Sequence, residues 1–470
     1  MSGTIASNGD LSPSQTKKPT NGIFHESDSP GATPVWKTLT QSLPPRQHDW
    51  DYWWQFSGPQ LAILLSEASY TIHEQYEALL FYYHHVIPRL GQAPGPDGKP
   101  KWKSPLSVDG SPVEWSFKWN TATAEPDVRY TIECLGDFTG TPADPFNIES
   151  TKDLMYRLSL QFPRIDLTWF HQLAAFVFDK EKVDYLGKGG FPTTTMVLAF
   201  ELLKTGVMVK AYFIAPKPPH GSTKHVYDVE FWRSAVGMLA PSSMAADTVF
   251  GFLGTNPQGK MLHPVALSID CVVPSKSRIK LYLQSPNTDF DSVREIMTMG
   301  GSITGIDAQL DDLHDLIKSI TGLPADHPSS EPVPVTTAYY EDNPKPAGNK
   351  TEPLSGYVYY FDIKPGASVP DIKFYIPTRQ YAATDTLVAD GLTKWMERKN
   401  RGQYVDNYRR MLNGISTHRP LQEGNGLHAF VSCAFMKGET HITSYIGPEA
   451  YHLRRLAKGR YSKCDPMDSL

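Results

Sequence analysis

The sequence predicts an α+β fold: ten antiparallel strands closed into one barrel, with a ring of helices outside and a lined lumen within. Three observations lead there. Helix-period and strand-period stretches run as helix, helix, strand, strand, and that order repeats five times between Trp50 and Ile446. No such unit can bury its own apolar faces, so the strands must share one sheet beneath a helical layer. Ten successive antiparallel strands close most economically into a barrel, because closure removes exposed edges.

The elements follow in order. Residues 1–34 are rich in Ser, Thr, Pro, Gly and Asn and lack an apolar h-region, which predicts a disordered arm and no signal peptide. Helical spacing marks Pro59–Ala68 and Thr71–Leu90, the latter ending at Pro88 and Gly91, and strands are expected at Ser111–Trp119 and Val128–Leu135. The second unit has helices at Thr151–Leu160 and Leu167–Phe178. Its strands, Thr194–Leu203 and Gly206–Ile214, meet at a tight hairpin turn, Lys204-Thr205-Gly206. A helical pair within His225–Phe252 and strands His263–Val272 and Arg278–Leu283 make the third unit. Helices Asp289–Thr298 and Asp307–Thr321, a Pro-rich loop over Gly322–Lys350, and strands Gly356–Ile363 and Asp371–Ile376 make the fourth. The fifth has helices Thr384–Arg401 and Gln403–Leu412 and strands Leu427–Phe435 and Thr440–Ile446. The barrel domain is thus assigned to 35–447 and a basic tail to 448–470, with Arg454–Lys463 read as a solvated extension.

Composition sets limits on function. A net charge of −5 and an isoelectric point near 6.3 argue against a general nucleic-acid binder, so any cationic site must be local. No apolar run approaches the ~20 residues of a membrane span, and the cytosol is the expected location. Cys134, Cys271, Cys433 and Cys464 are far apart and form no CxxC pair, which suits a reducing compartment.

Three predicted strands carry a cation two residues before a tyrosine: Lys210-Ala211-Tyr212, Arg278-Ile279-Lys280-Leu281-Tyr282 and Lys373-Phe374-Tyr375. Strand side chains alternate faces, so Arg278, Lys280 and Tyr282 share one face while Ile279, Leu281 and Leu283 share the other. If the apolar face meets the helices, the cations line a central polar chamber. One Lys-x-Tyr alone is ordinarily the wet face of a strand. Three of them, with Arg129 in a fourth strand, point to an anion site. Arg129, Lys210, Arg278, Lys280 and Lys373 would offset the roughly three negative charges of a diphosphate without a metal. Tyr212, Tyr282, Tyr375 and Tyr445 would form an electron-rich wall for a carbocation, at ~1–2 kcal/mol per desolvated ring face. Glu114, in Pro112-Val113-Glu114-Trp115-Ser116, is a carboxylate among apolar neighbours, placed to accept an indole N–H or a phenol proton.

Other motifs carry less. Asp311-Asp312-Leu313-His314-Asp315 has the DDxxD form of a magnesium–diphosphate site, but that chemistry needs two clusters on facing helices and only one is present. Leu316, Ile317 and Ile320 continue at helical spacing, so the acids read as a solvated helix face. Gly254–Lys260 fits GxxxxGK but contains Pro257 and is followed by Met261, which has no hydroxyl for magnesium. Gly187-Lys188-Gly189-Gly190 reads as a turn, and His84-His85 has no HExxH context. No metal site is expected.

Taken together and in order, Trp53-Trp54, Pro88-Arg89-Leu90-Gly91, Pro112-Val113-Glu114, Asp144-Pro145-Phe146-Asn147, Lys210-Ala211-Tyr212, Arg278-Ile279-Lys280-Leu281-Tyr282 and Met299-Gly300-Gly301 resemble the dimethylallyltryptophan synthase family of fungal aromatic prenyltransferases. The resemblance runs from about Trp53 to Tyr445. It implies the ABBA barrel. It also implies transfer of a dimethylallyl group from dimethylallyl diphosphate, a co-substrate, to an indole acceptor by Friedel–Crafts substitution in secondary metabolism. The acceptor would be tryptophan or a tryptophan-containing cyclic dipeptide or alkaloid. By resemblance Glu114 is the base at the indole nitrogen, Arg129, Lys210, Arg278 and Lys280 clamp the diphosphate, and Tyr212, Tyr282, Tyr375 and Tyr445 shield the cation. The family implies no essential metal and is compatible with a homodimer.

The departures are specific. Lys373 stands where several members have glutamine, adding a cation to the clamp. Lys437, after Ser432-Cys433-Ala434-Phe435-Met436, is assigned the diphosphate role of the family's Arg or Lys near the last hairpin. Val197 stands where members that attack C4 of tryptophan have a lysine, which argues against that selectivity. The alternatives are the same chemistry on tyrosine or a polyketide phenol, a metal-dependent prenyl diphosphate synthase using Asp311–Asp315, and a non-catalytic protein that binds an anionic ligand.

Overall fold

The five units form in the expected order in the computed structural model, which describes residues 33–95, 98–120, 124–178, 194–214, 228–336, 356–436 and 438–455. Helix α1 (Pro34–Ser42) precedes them. The first unit is α2 (His48–Glu67), α3 (Ile72–Phe81), β1 (Val113–Trp119) and β2 (Asp127–Ile132). The second is α4 (Glu149–Gln161), α5 (Thr168–Val177), β3 (Met196–Leu203) and β4 (Gly206–Ile214). The third is α6 (Val229–Leu239), α7 (Met244–Thr255), β5 (His263–Asp270) and β6 (Ile279–Ser285). The fourth is α8 (Phe290–Met297), α9 (Asp307–Thr321), β7 (Tyr357–Ile363) and β8 (Asp371–Ile376). The fifth is α10 (Asp385–Arg398), α11 (Val405–Ile415), β9 (His428–Met436) and β10 (Glu439–Ile446). Every strand pairs antiparallel with its sequence neighbours, and β1 pairs with β10 to close the barrel.

The core lies between barrel and helices, not inside the barrel. Ile279, Leu281 and Leu283 on β6, and Val113, Trp115 and Phe117 on β1, are fully buried on the outward face. Trp115 donates its indole N–H to Gln60 on α2 at 2.8 Å, which pins β1 to that helix. Between α9 and α10 only glycine fits at position 391, because a Cβ there would lie 1.9 Å from the Ser319 carbonyl oxygen. That close approach lets Trp395 of α10 donate to the Asp312 carbonyl at 3.2 Å.

Three local expectations change. The first long helix starts at His48, not Pro59, and Pro59 lies inside it. A proline there removes one helical donor, but the burial of Trp53 and Trp54 holds the preceding turns in place. Helix α1 begins inside the expected arm: the Thr33 side chain accepts from the Trp36 N–H, Pro34 occupies the first turn, and Val35, Trp36 and Leu39 are buried. Residues 1–32, like 456–470, lie outside the described residues. At the other end the chain does not leave the barrel as a solvated extension straight away. Tyr451 is buried, and Arg455 lies 5.2 Å from the Phe56 ring centre while donating to the Ile415 carbonyl at 2.8 Å.

Among the described residues, no helix is long and apolar enough to cross a membrane.

Candidate active site

Pairing in register carries the inward face from strand to strand. Arg129 (β2) pairs with Ser116 (β1) and Glu201 (β3), Lys210 (β4) with Asp270 (β5), and Lys280 (β6) with Asp362 (β7). Lys373 (β8) pairs with Tyr360 (β7), Tyr375 (β8) with Ser432 (β9), and Tyr445 (β10) with Ser116 again. Directly paired residues share a face, so Arg129, Lys210, Lys280, Lys373, Tyr375 and Tyr445 point into one lumen, with Tyr212 and Tyr282 on the same face two residues along from Lys210 and Lys280. Arg129, Tyr212, Tyr282, Tyr360, Phe430 and Tyr445 keep partial solvent contact although the barrel around them is closed. Those surfaces bound an interior space that side chains do not fill.

The cations are not alone. Glu201 bridges Arg129 and Lys210, the latter at 2.8 Å. Asp270 binds Arg278 at 2.8 Å and Lys280 at 3.1 Å, and Asp362 binds Arg278 at 3.2 Å. These three carboxylates were missed in the sequence, where each looks like an ordinary strand acid; their position opposite a lumen cation is visible only once the register is known. Arg129, Lys210, Arg278 and Lys280 against three carboxylates leave a formal excess of one positive charge before Lys373 is counted, so an anion is still favoured. Arg278 sits just before β6, at the close of the β5–β6 turn, where the Ser277 hydroxyl donates to the Asp270 carbonyl at 2.6 Å.

Burial sets the charge states. It pushes the Lys210 amine down to about 8, helped by Arg129 and opposed by Glu201. Burial also works against the Glu201 carboxylate, yet Arg129 and Lys210 outweigh it and hold that group well below the usual range. Lys373 has a different setting. Its amine donates to the Thr443 hydroxyl at 3.2 Å and to the Tyr445 hydroxyl at 3.4 Å, with no carboxylate in either bond. Burial, and then the charges of Arg129, Lys118 and Lys210, lower it far below an ordinary lysine.

Beside the cations runs a continuous belt of phenols. Ring centres are separated by 5.6 Å for Tyr212–Tyr282, 6.1 Å for Tyr282–Tyr375 and 5.7 Å for Tyr375–Tyr445. Tyr360 joins them, 5.5 Å from Tyr282 and 6.0 Å from Tyr375. Sequence reading missed Tyr360 because no cation precedes it by two residues; its place in the Tyr357-Val358-Tyr359-Tyr360 alternation was the available signal. Lys373 joins the two sets, 5.3 Å from the Tyr375 ring centre and 5.7 Å from that of Tyr445.

Glu114 stands on the same face two residues from Ser116 and is only 8% exposed. Burial raises its carboxyl to about 8, with the Arg379 guanidinium pulling the other way. Such a group is an acid or a base near neutral pH, which an ordinary glutamate is not.

The remaining motifs serve architecture. Asp311 pairs with Arg294 of α8, while Asp312 pairs with Lys399 and Asp315 with Arg398, so the DDxxD acids tie outer helices together. Gly254–Lys260 runs from the end of α7 into a short turn, not from a strand into a helix. His84 and His85 lie in a π-helical turn, with His85 packed on Phe81 and Phe162. Val197 is buried on the lumen side, opposite Tyr212. Lys437 and Gly187–Gly190 lie outside the described residues. His418, Glu449 and His452 lie close enough to share an ion, but Arg419 already binds Glu449 at 3.0 Å. Those residues belong to a polar network that continues through Asp385 and His428 to Tyr408 and Ser444, behind the barrel wall.

A sequence model described as tryptophan dimethylallyltransferase matches residues 49–411. The chain belongs to that family. Within it, the chain is 44% identical over 432 residues to prenyltransferase anuH of Penicillium roqueforti, covering 91% of this chain and 95% of that one. It is 39% identical over 441 residues to xanthone prenyltransferase B of Emericella nidulans, covering 92% and 95%. The solved prenyltransferase NotF, in complex with brevianamide F and dimethylallyl thiolodiphosphate, superposes with a TM-score of 0.71 at 20% identity, covering 89% of this chain and 99% of that one; it shares the fold. The protein is thus an aromatic prenyltransferase of the tryptophan dimethylallyltransferase family with the ABBA barrel. The indole acceptor implied by resemblance does not follow from membership, since a relative this similar is named for xanthones.

Proposed function

We propose that the protein transfers a dimethylallyl group from dimethylallyl diphosphate to a carbon of a phenolic aromatic ring, with no essential metal. One observation carries this: the lumen is divided into a cation cluster and an adjoining tyrosine belt, with Lys373 touching both. The cluster suits a leaving diphosphate. Arg129, Lys210, Arg278, Lys280 and Lys373 offer charge-assisted donors, and Lys437 is assigned to the same role by resemblance. The belt suits the other fragment, since Tyr212, Tyr282, Tyr360, Tyr375 and Tyr445 present electron-rich faces to an allylic cation and exclude water from it. When the C–O bond breaks, its electron pair leaves with the diphosphate, where the cations stabilise it without rearranging. The aromatic ring attacks the cation, and loss of the ring proton restores aromaticity.

The acceptor class rests on Glu114 and on the relatives. A carboxyl near 8 is matched to a phenol hydroxyl, which ionises at ~10. Xanthone prenyltransferases A and B, at 37% and 39% identity, are named for an oxygenated ring system without an N–H. The second reading is an indole acceptor hydrogen-bonded to Glu114; it is favoured by the family description and by NotF, solved with brevianamide F. Val197 supplies no base for attack at C4 in that case. The setting we propose is cytosolic secondary metabolism, with a homodimer compatible with it.

Incubating purified protein with dimethylallyl diphosphate and a panel of phenols, hydroxyxanthones and tryptophan derivatives tests the assignment by mass spectrometry, with NMR for the position. Prenylated phenols as the best products support it. Products from indoles alone would shift the acceptor to the second reading, and release of no prenyl group to any acceptor would leave an anion-binding protein.

A further inference from the structure

The acceptor end of the lumen holds a cation that no strand supplies. Arg379 lies in the single helical turn Thr378–Tyr381 that follows β8, and Asn425 donates to its backbone carbonyl at 3.0 Å. Arg379 is 7% exposed, and its guanidinium carbon lies 5.0 Å from the centre of the Phe430 ring. Phe430 pairs in register with Tyr445, and Tyr445 with Ser116, which stands two residues along β1 from Glu114. These residues therefore share the inward face. Arg379 is also the charged group that acts on the Glu114 carboxyl. A buried cation, a buried carboxyl and an aromatic floor thus lie together at this end of the lumen.

A neutral indole makes little use of that cation. Its N–H donates to a carboxylate, and it does not become an anion in the working range of pH. A phenol differs. Once it loses its proton its ring carbons become far stronger nucleophiles, and a guanidinium, always charged and built only of donors, stabilises the oxygen that remains.

We propose that Arg379 and Glu114 together select acceptors that carry an ionisable ring hydroxyl, Glu114 taking the hydroxyl proton and Arg379 holding the phenolate oxygen. The inference deepens the phenolic reading above and rests on it. The hydroxyl proton passes to the Glu114 carboxylate as the dimethylallyl C–O bond breaks and diphosphate leaves with the electron pair. The phenolate ring then forms the new C–C bond, giving a neutral dienone. Loss of the ring proton to water returns the phenolate, and Glu114 gives its proton back to the oxygen. One proton is released overall, and no oxidant or reductant is needed.

The test uses the full chain, a set of phenols of graded acidity, and the O-methyl ether of the best phenol. Wild-type protein should prenylate the ether ring at least ~10²-fold more slowly than the phenol, as kcat/KM, because the ether has no proton for Glu114. In Arg379→Gln the weakly acidic phenols should lose at least ~10-fold more than the acidic ones. Arg379→Lys, which keeps the charge without the planar fork, should recover part of that difference. Prenylation of the ether at the phenol's rate overturns the inference while leaving the phenolic reading intact, and it does so in wild-type protein whether or not a variant folds. A loss in Arg379→Gln that is equal for every acceptor also overturns it, by reducing Arg379 to packing. Turnover of indoles alone overturns both the inference and the phenolic reading.

Discussion

Lys210 donates to Glu201 at 2.8 Å across the β3–β4 hairpin, and Arg129 reaches the same carboxylate from β2. Glu201 is therefore the counter-ion that holds two lumen cations in place before any anion arrives. Glu201→Gln would leave both cations buried without it and should cost about 3 kcal/mol of stability. Inorganic diphosphate should restore most of that loss by taking the carboxylate's place. Denaturant unfolding with and without diphosphate measures both effects; equal rescue of wild type and variant would remove Glu201 from this role.

Among the described residues Lys373 bonds to the Thr443 and Tyr445 hydroxyls and to no carboxylate, so an arriving diphosphate would give it a new ion pair. Lys373→Gln keeps a donor but no charge. The KM for dimethylallyl diphosphate should rise ~10-fold, in line with the loss of one charge-assisted hydrogen bond, while kcat falls by less. Steady-state kinetics in the donor decide it, and an unchanged donor KM would contradict the assignment.

The tyrosine belt makes a different demand, because ring faces and not hydroxyls stabilise the cation. Tyr282, at the centre of the belt, should tolerate Phe with little loss. Tyr282→Ala should lower kcat ~10-fold and divert product toward the prenyl alcohol formed by water. Tyr360→Ala should behave the same way. Chromatographic partition between prenylated acceptor and prenyl alcohol is the readout, and a Phe variant as impaired as Ala would point to the hydroxyls instead.

Much of this was legible in the sequence and some was not, for physical reasons. The ααββ order and the Arg278–Tyr282 alternation survive almost residue for residue, because period two and period 3.6 are local properties. Glu201, Asp270 and Asp362 were not legible, since an acid gains its meaning from the cation opposite and register is a tertiary property. Arg379 was hidden for a similar reason: it belongs to a short turn and enters the lumen from the end. Several motifs that carry the resemblance prove to be framework. Asn147, with φ of 52°, donates to buried Glu133 at 2.7 Å, and the Gly91 carbonyl accepts from Trp53 at 3.0 Å. These hold loops against the barrel.

Glu114 predicts a pH profile. The base works ionised, and burial raises its carboxyl to about 8, so kcat/KM should fall as pH drops below that value, by about tenfold per unit. Lys210 has the opposite sign: it is charged below about 8, so donor binding in the free enzyme weakens as pH rises through that value. A bell centred near 8 follows. Glu114→Gln should lose ~10²-fold at the optimum and flatten the acid limb alone. An unaltered acid limb would place the base elsewhere.

The central claim is that side chains, not a metal, receive the diphosphate as the prenyl group moves to carbon. It is tested most directly by a turnover experiment in excess EDTA that quantifies diphosphate and prenylated phenol together. The account predicts equal amounts of the two, formed at the rate seen without EDTA, with Asp311→Ala indistinguishable from wild type. Activity abolished by EDTA, restored by magnesium and lost in Asp311→Ala would contradict it.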